Sequence, residues 1–134
     1  MRSFLILSAV VIAGWVAPAA AAAAETVVLP ERQGPAGVVF VDNPAIVDAR
    51  PMPADSFSRV RGDDAVAVHF MTGTPECYGV HATVTEDAES VSVTLLSGTL
   101  PEATGRACIM IAVSGTVEVP LAGPLGDRQV LSVS

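Results

Sequence analysis

Residues 80–96 read VHATVTEDAESVSVTLL, and this stretch decides the fold class. On both sides of a polar turn around Asp87, valine, alanine and leucine alternate with threonine, serine and histidine. Alternation with a period of two is typical of a β-strand that has one buried and one solvated face. The stretch therefore predicts a β-hairpin. Its turn lacks an Asn-Gly pair, so we expect a connection longer than two residues.

The rest of the chain after residue 24 also has the pattern of β-strands. It shows no helical periodicity over any window of eleven or more residues. Turn residues separate short apolar or alternating runs. Strands are expected at 26–29 as a short edge strand, at 37–41 as a buried strand, and at 65–71, 80–85, 91–96, 108–113, 117–121 and 129–133. The run at 108–113 is continuously apolar and predicts a fully buried central strand, whereas Pro51 and Pro53 are expected to prevent a regular ladder.

These runs predict an all-β fold. Seven or eight short strands, with turns at this spacing, indicate a small antiparallel β-sandwich that is immunoglobulin-like in size and pattern. An up-and-down barrel is the alternative architecture.

The N-terminus carries the pattern of an export signal. Arg2 precedes an apolar stretch that runs to Val16, Pro18 interrupts it, and alanines follow from Ala19 to Ala24. We predict a signal peptide over 1–24 and a single secreted β-sandwich domain over 25–134. The expected location is extracellular or in the cell envelope. An uncleaved membrane anchor is the alternative for this segment.

The charge of the chain is acidic. Its 134 residues include 14 acidic residues and 7 basic ones, for a net charge of −7, and every basic residue is an arginine. The charges are scattered, and phosphate binding requires clustered cations. We therefore expect no nucleic-acid partner and no membrane contact after signal cleavage. The protein is expected to be a monomer, and its expected partner is an unknown envelope or extracellular protein.

Cys77 and Cys108 are the only cysteines. In a small exported chain two cysteines most often pair, which predicts a structural disulfide. The alternative is a reactive or metal-bound pair. It is disfavoured because the chain has no Cys-x-x-Cys motif and no histidine adjacent to either cysteine.

Catalytic and metal-binding patterns are weak. His69 and His81, the only histidines, lie on predicted strands, and a metal site built on them would need a third ligand such as Glu76 or Glu86. They are weak candidate ligands, and we expect neither a metal nor another cofactor. No Gly-x-Ser-x-Gly motif occurs, so the chain is not predicted to be an enzyme.

Two short polar motifs remain. Tyr78, the only tyrosine, follows Glu76 and Cys77 in a segment that the disulfide would tether. These two residues, Tyr78 and Glu76, are candidate contacts with a partner; alternatively, Tyr78 caps the core beside the disulfide. Asp127 and Arg128 are expected to form a local ion pair that orients the last turn.

From Phe57 onward the chain resembles a family of small secreted or lipid-anchored actinobacterial proteins whose function is uncharacterised. The motifs that carry the resemblance are VHF (68–70), GTPECYG (73–79), TVTE (83–86), VSVTL (91–95), ACI (107–109) and PLGDR (124–128). The resemblance implies an exported β-sandwich whose two cysteines pair. It implies no reaction and no ligand.

Three functions are therefore in competition. The first is an exported, non-enzymatic interaction or structural module. The second is a secreted inhibitor of a protease or another enzyme, which requires an exposed and rigid loop. The third is a small metal-binding or enzymatic domain, which requires His69 and His81 to approach a common point together with a third donor.

Overall fold

The computed structural model describes residues 10–18, 24–33 and 37–134. Its strands form two sheets that enclose one apolar core, and the prediction of an all-β sandwich is confirmed. The described residues form nine strands, one more than the upper number expected. They are β1 (Thr26–Val28), β2 (Val38–Phe40), β3 (Val47–Met52), β4 (Ser56–Arg59), β5 (Ala65–Thr72), β6 (Tyr78–Glu86), β7 (Ser90–Thr99), β8 (Val113–Pro120) and β9 (Gln129–Val133).

β7 is the centre of the first sheet. On one side β6 pairs with it in antiparallel orientation over nine residue pairs. On the other side of β7, β9 pairs in parallel orientation with its first part, Ser90–Val93. β3 pairs in antiparallel orientation with the last part of β7. β1 adds to β9 as a short antiparallel edge strand, as the sequence predicts.

The second sheet has the strand order β2-β8-β5-β4. β5 and β8 pair in antiparallel orientation over eight residue pairs, from Ala65 opposite Pro120 to Thr72 opposite Val113. β4 is antiparallel to β5, and β2 is parallel to β8. Of the seven strand pairs that the described ranges contain, five are antiparallel and two parallel, so the sandwich is predominantly antiparallel.

The core lies between the two inner faces and is made mostly of valine. The expected inner face of the hairpin is correct, because Val91, Val93 and Leu95 are fully buried while Ser92 and Thr94 lie on the outer face. On the opposing sheet the fully buried side chains are Val66, Val68, Phe70 and Val117. This alternation of buried and half-buried positions is what a strand with one covered face requires.

The loop of the hairpin also agrees with prediction. Three residues, Asp87–Glu89, connect β6 to β7. The Asp87 carboxylate accepts hydrogen bonds from the backbone N–H groups of Glu89 (2.8 Å) and Ser90 (2.7 Å). These bonds favour the charged carboxylate and lower the pKa of Asp87.

Three elements near the sheet edges differ from the prediction. The run at 37–41 forms the short edge strand β2, whose Val39 is largely exposed instead of buried. β3 runs through Pro51, which lies opposite Leu96. An edge strand tolerates proline because its outer side needs no N–H donor. β4 was not predicted, because its four residues carry two serines and an arginine.

The predicted signal peptide, residues 1–24, lies largely outside the described residues. Residues 10–18 form no regular secondary structure, and their large apolar side chains are exposed. Among the described ranges, no helix has the length and apolar character needed to cross a bilayer. The cleaved signal stays a prediction.

Arg128 has a different partner from the one expected. Its guanidinium donates to the Glu86 carboxylate at 3.0 Å and to the Pro124 carbonyl at 2.8 Å, so the expected local pair with Asp127 is wrong. The guanidinium also donates to the Asp87 carbonyl at 3.2 Å and to the Gly123 carbonyl at 3.2 Å. The backbone N–H of Ala122 donates to the same Glu86 carboxylate, and this bond, together with Arg128, lowers the pKa of Glu86. The cluster fixes the loop before β9 to the β6–β7 turn.

We predict that Arg128→Ala lowers the melting temperature by about 8 °C, because several carbonyl oxygens and the Glu86 carboxylate lose their donor together. Arg61→Ala is the matched control, since Arg61 is exposed and has no side-chain partner among the described residues. Its melting temperature should move by no more than about 2 °C. Thermal unfolding followed by circular dichroism measures both, and equal shifts would contradict the role of the Arg128 cluster.

Candidate functional site: a disulfide-tethered apolar segment

The predicted central strand at 108–113 is wrong. β8 begins only at Val113, and residues 107–112 form no strand, helix, turn or bend. Ile109 is 60% exposed, Met110 92% and Ile111 51%. Residues 108–112 are called the tethered segment below, because a disulfide fixes its first residue.

The register of the second sheet explains why β8 starts late. Val113 lies opposite Thr72, which is the last residue of β5. The chain turns directly after β5, where the N–H groups of Cys77 and Tyr78 both donate to the Thr74 carbonyl. On the side of β5, the residues before Val113 therefore have no neighbouring strand, and apolar composition alone cannot supply one.

Cys77 and Cys108 form the predicted disulfide, with their Cα atoms 6.2 Å apart. Cys77 is buried directly before β6, and its carbonyl accepts a 2.8 Å hydrogen bond from the N–H of Leu100. β6 belongs to the first sheet and β8 to the second. The disulfide consequently ties the residue directly before a strand of one sheet to the segment that precedes β8 in the other sheet.

The tethered segment is thus held at both ends, at Cys108 by the disulfide and at Val113 by the β5–β8 ladder. Among the described residues, the backbone groups of Ile109, Met110 and Ile111 make no hydrogen bond. Backbone N–H and C=O groups that are not paired within a fold bond to water or to a partner. The segment therefore offers both apolar side chains and main-chain donors and acceptors.

A groove with a volume of 450 Å³ lies beside the tethered segment. Its lining is mostly apolar and consists of Met71, Thr72, Gly73, Tyr78, Ile109, Met110, Ile111 and Ala112. The Tyr78 ring packs against Gly73 so closely that a Cβ atom at Gly73 would collide with it. Tyr78 therefore packs against the backbone and forms one wall of the groove. Contiguous exposed apolar surface of this kind marks interaction sites.

Glu76, the second predicted contact residue, lies in the turn between β5 and β6 and is exposed. Within the part of the chain that the structure describes, its carboxylate forms no hydrogen bond and no ion pair. Tyr78 and Glu76 flank Cys77, so the structure places both beside the disulfide that anchors the segment. Sequence reasoning missed Met71, Ile109, Met110 and Ile111, because an apolar run without alternation reads as buried.

His69 lies on the outer face of the second sheet between two hydroxyl groups. Its Nε2 is 3.0 Å from Ser58 Oγ, and its Nδ1 is 2.7 Å from Thr116 Oγ1. Burial lowers the pKa of His69, and the Asp55 carboxylate opposes this effect. In a hydrolase the second imidazole nitrogen faces a carboxylate that stabilises the imidazolium. Here it faces a hydroxyl, and the arrangement is a polar ladder across β4, β5 and β8.

His81 lies on the first sheet and has a different partner. Its Nδ1 is 2.9 Å from Asp42 Oδ1, which also accepts a 2.7 Å bond from the N–H of Ala82. The structure thus does not bring His69 and His81 together. Within residues 10–18, 24–33 and 37–134, no three or more His, Cys, Asp and Glu side chains are grouped so as to hold a metal ion.

The lowered pKa of His69 predicts a pH dependence. Because the unfolded chain binds the proton more tightly than the folded one, the free energy of unfolding falls as the pH drops through the ordinary histidine value of 6.5. We expect His69→Gln to weaken this fall between about pH 7.5 and 5.5. Urea unfolding at several pH values measures it, and parallel curves for the two proteins would contradict the prediction.

No protein-family model, curated protein or solved structure matches this chain. The predicted resemblance to secreted actinobacterial proteins stays a prediction.

Proposed function

We propose that this protein is an exported, non-enzymatic interaction module that binds a partner protein through its tethered segment. The observation that supports this function is the exposure of Ile109, Met110 and Ile111 on a segment that is fixed at both ends. Full burial of one large apolar side chain contributes about 1.5–3 kcal/mol. Three such side chains on a pre-ordered segment are a suitable centre for a protein interface, because little conformational entropy is lost on binding.

The surroundings of the segment fit the same function. Tyr78 and Met71 also line the groove, and the exposed Glu76 lies two residues before Tyr78 in the sequence. Tyrosine and methionine are enriched at the cores of protein interfaces, whereas charged residues concentrate at the rim. We propose that Tyr78 contacts the partner and that Glu76 contributes to the polar rim.

Export is part of the proposal. The disulfide is of the kind that persists in oxidising compartments, and the N-terminal pattern of Arg2, an apolar stretch and alanines is that of a signal peptide. A disulfide-bonded, acidic domain of this size suits the extracellular medium or the cell envelope.

A partner capture with two matched variants tests the proposal. The first variant replaces Ile109, Met110 and Ile111 by serine. The second carries Val39→Ser in β2 and Val41→Ser directly after it; both are also exposed apolar side chains, and neither lines the groove. Each purified protein, with its disulfide formed, is immobilised and exposed to the medium and envelope fraction of the producing organism.

We expect one protein to be recovered by the native chain and the Val39/Val41 variant, and its yield to fall at least about 30-fold with the triple serine variant. The recovered protein is then titrated in purified form against all three chains. Equal capture by the native chain and the triple serine variant would show that the tethered segment is not the binding surface.

A further inference from the structure

We infer that the partner is a secreted endopeptidase, and that the tethered segment occupies its active-site cleft as a substrate-like inhibitor, with Met110 in the primary specificity pocket. The inference rests on the proposed function and gives the chemical class of the partner. It follows from three properties of the segment: its backbone, the position of Met110 and the retention of both ends.

The backbone of the segment is available for hydrogen bonds with an endopeptidase. Proteins that bind extended peptides do so by adding the peptide to a strand edge, through main-chain hydrogen bonds. Residues 107–112 contain no turn, bend or positive φ angle, and the backbone of residues 109–111 makes no hydrogen bond with another described residue. The segment consequently offers an unpaired main chain, free of turns and bends, to a cleft without losing backbone hydrogen bonds of its own.

Met110 is placed as the residue that enters a specificity pocket. Exposure alternates along the segment, since Ile109 and Ile111 are 60% and 51% exposed while Met110 reaches 92%. Met110 is therefore the side chain of the segment that the rest of the protein covers least. It is also two residues from the disulfide at Cys108 and three from the start of β8.

The chemistry of the segment selects the kind of endopeptidase. Residues 107–117 carry no charged side chain. A methionine side chain is long, unbranched and apolar, and it fits an apolar pocket but not one with a carboxylate at its base. Chymotrypsin-like and subtilisin-like enzymes have apolar pockets, whereas trypsin requires a basic side chain. Inhibition is therefore expected for the first two.

The two chain ends that cleavage would create stay attached to the fold, and this makes the segment an inhibitor instead of a substrate. Hydrolysis would break the peptide bond between Met110 and Ile111, with water giving a carboxylate on Met110 and an amine on Ile111. The disulfide holds Cys108 and the β5–β8 ladder holds Val113, so neither new end can diffuse away. Their high effective concentration favours reformation of the bond and keeps the cleft occupied.

Inhibition assays on the full chain, purified with its disulfide formed, test the inference with subtilisin, chymotrypsin and trypsin as probes. The native protein should inhibit subtilisin or chymotrypsin at least about 30-fold more strongly than trypsin, and Met110→Gly should lose that inhibition by a similar factor. Met110→Lys should transfer inhibition to trypsin. Val39→Ser, on an exposed edge strand, should leave every inhibition constant within about twofold.

Two outcomes overturn the inference. One is that no probe protease is inhibited and the chain is simply degraded. The other is that Met110→Lys gains no inhibition of trypsin while its melting temperature equals that of the native protein. Mass spectrometry adds a second readout: slow cleavage should occur between Met110 and Ile111. Because Cys77 and Cys108 both precede that bond, no disulfide joins the two fragments, and they should stay together under native conditions through the β5–β8 ladder and separate on denaturation.

The test separates this inference from the proposed function. If the triple serine variant loses its captured partner but no protease is inhibited, the segment binds a protein that is not an endopeptidase, and only the inference fails. If capture does not depend on the segment, the proposed function fails as well. Concentration-dependent dimerisation through the segment, measured by analytical ultracentrifugation, would also overturn the inference.

Discussion

Val93→Asp is expected to unfold the protein. Val93 is completely buried on the inner face of β7. It lies opposite Val84 on β6 and Ser132 on β9. The carboxylate of the introduced aspartate would lie between the sheets without a cation to pair with. The effective cost of burying such a charge is several kcal/mol. The total stability of a small domain is about 5–15 kcal/mol, so little or none would remain.

Thr94→Asp is the matched control for this substitution. Thr94 is the next residue of β7 and lies on the outer face, opposite Thr83. The same charge is hydrated there, and the melting temperature should change by only a few degrees. Far-UV circular dichroism and amide NMR dispersion distinguish the two cases. A native-like, cooperatively melting Val93→Asp protein would mean that the inner face has been assigned to the wrong residues.

The second large effect is expected from the double variant Cys77→Ala/Cys108→Ala. The disulfide joins residues 31 positions apart, and closing a loop of this size stabilises a fold by about 3–4 kcal/mol through the entropy of the unfolded chain. For a domain of this size we expect the melting temperature to fall by about 15 °C or more. The double variant is preferable to a single one, since it leaves no buried unpaired thiol at Cys77.

Loss of the disulfide should also have a local signature. Without it the tethered segment is held only at Val113, so amide exchange and protease cleavage at 109–111 should increase far more than the global destabilisation explains. Met110→Ser serves as the control, because it changes the same segment but keeps both anchors and alters an exposed side chain. An unchanged melting temperature in the double variant would refute a structural role for the disulfide.

Periodicity predicted the parts of this fold in which one face is buried and the other solvated. The β6–β7 hairpin, β5 and the inward position of Val93 all follow from alternation, because a one-residue slip would expose every valine. The edge strands β3 and β4 escaped prediction for the opposite reason. Proline, serine and arginine are tolerated where one side of a strand needs no partner, and such sequences carry little β signal.

The candidate site was predictable only in its covalent anchor. Cysteine number and the export pattern predict the pair Cys77 and Cys108, and Tyr78 and Glu76 were expected beside it. The segment 109–112 was misread because an apolar run has the same composition whether it fills a core or meets a partner. The deciding fact is that β5 ends at Thr72 and leaves no strand opposite, and this depends on contacts between residues about 40 positions apart.

The pairing of β1 with β9 has a consequence for the time at which the protein folds. β1 pairs with β9, and the N–H of Glu25 donates to the Ser134 carbonyl at 2.7 Å. β2 in the same way depends on β8 for its pairing. Neither sheet is complete until β8 and β9 have been synthesised, and contacts so distant in sequence form slowly, in milliseconds to seconds. Folding of this topology is therefore expected to follow the synthesis of β9 instead of accompanying the synthesis of the earlier strands.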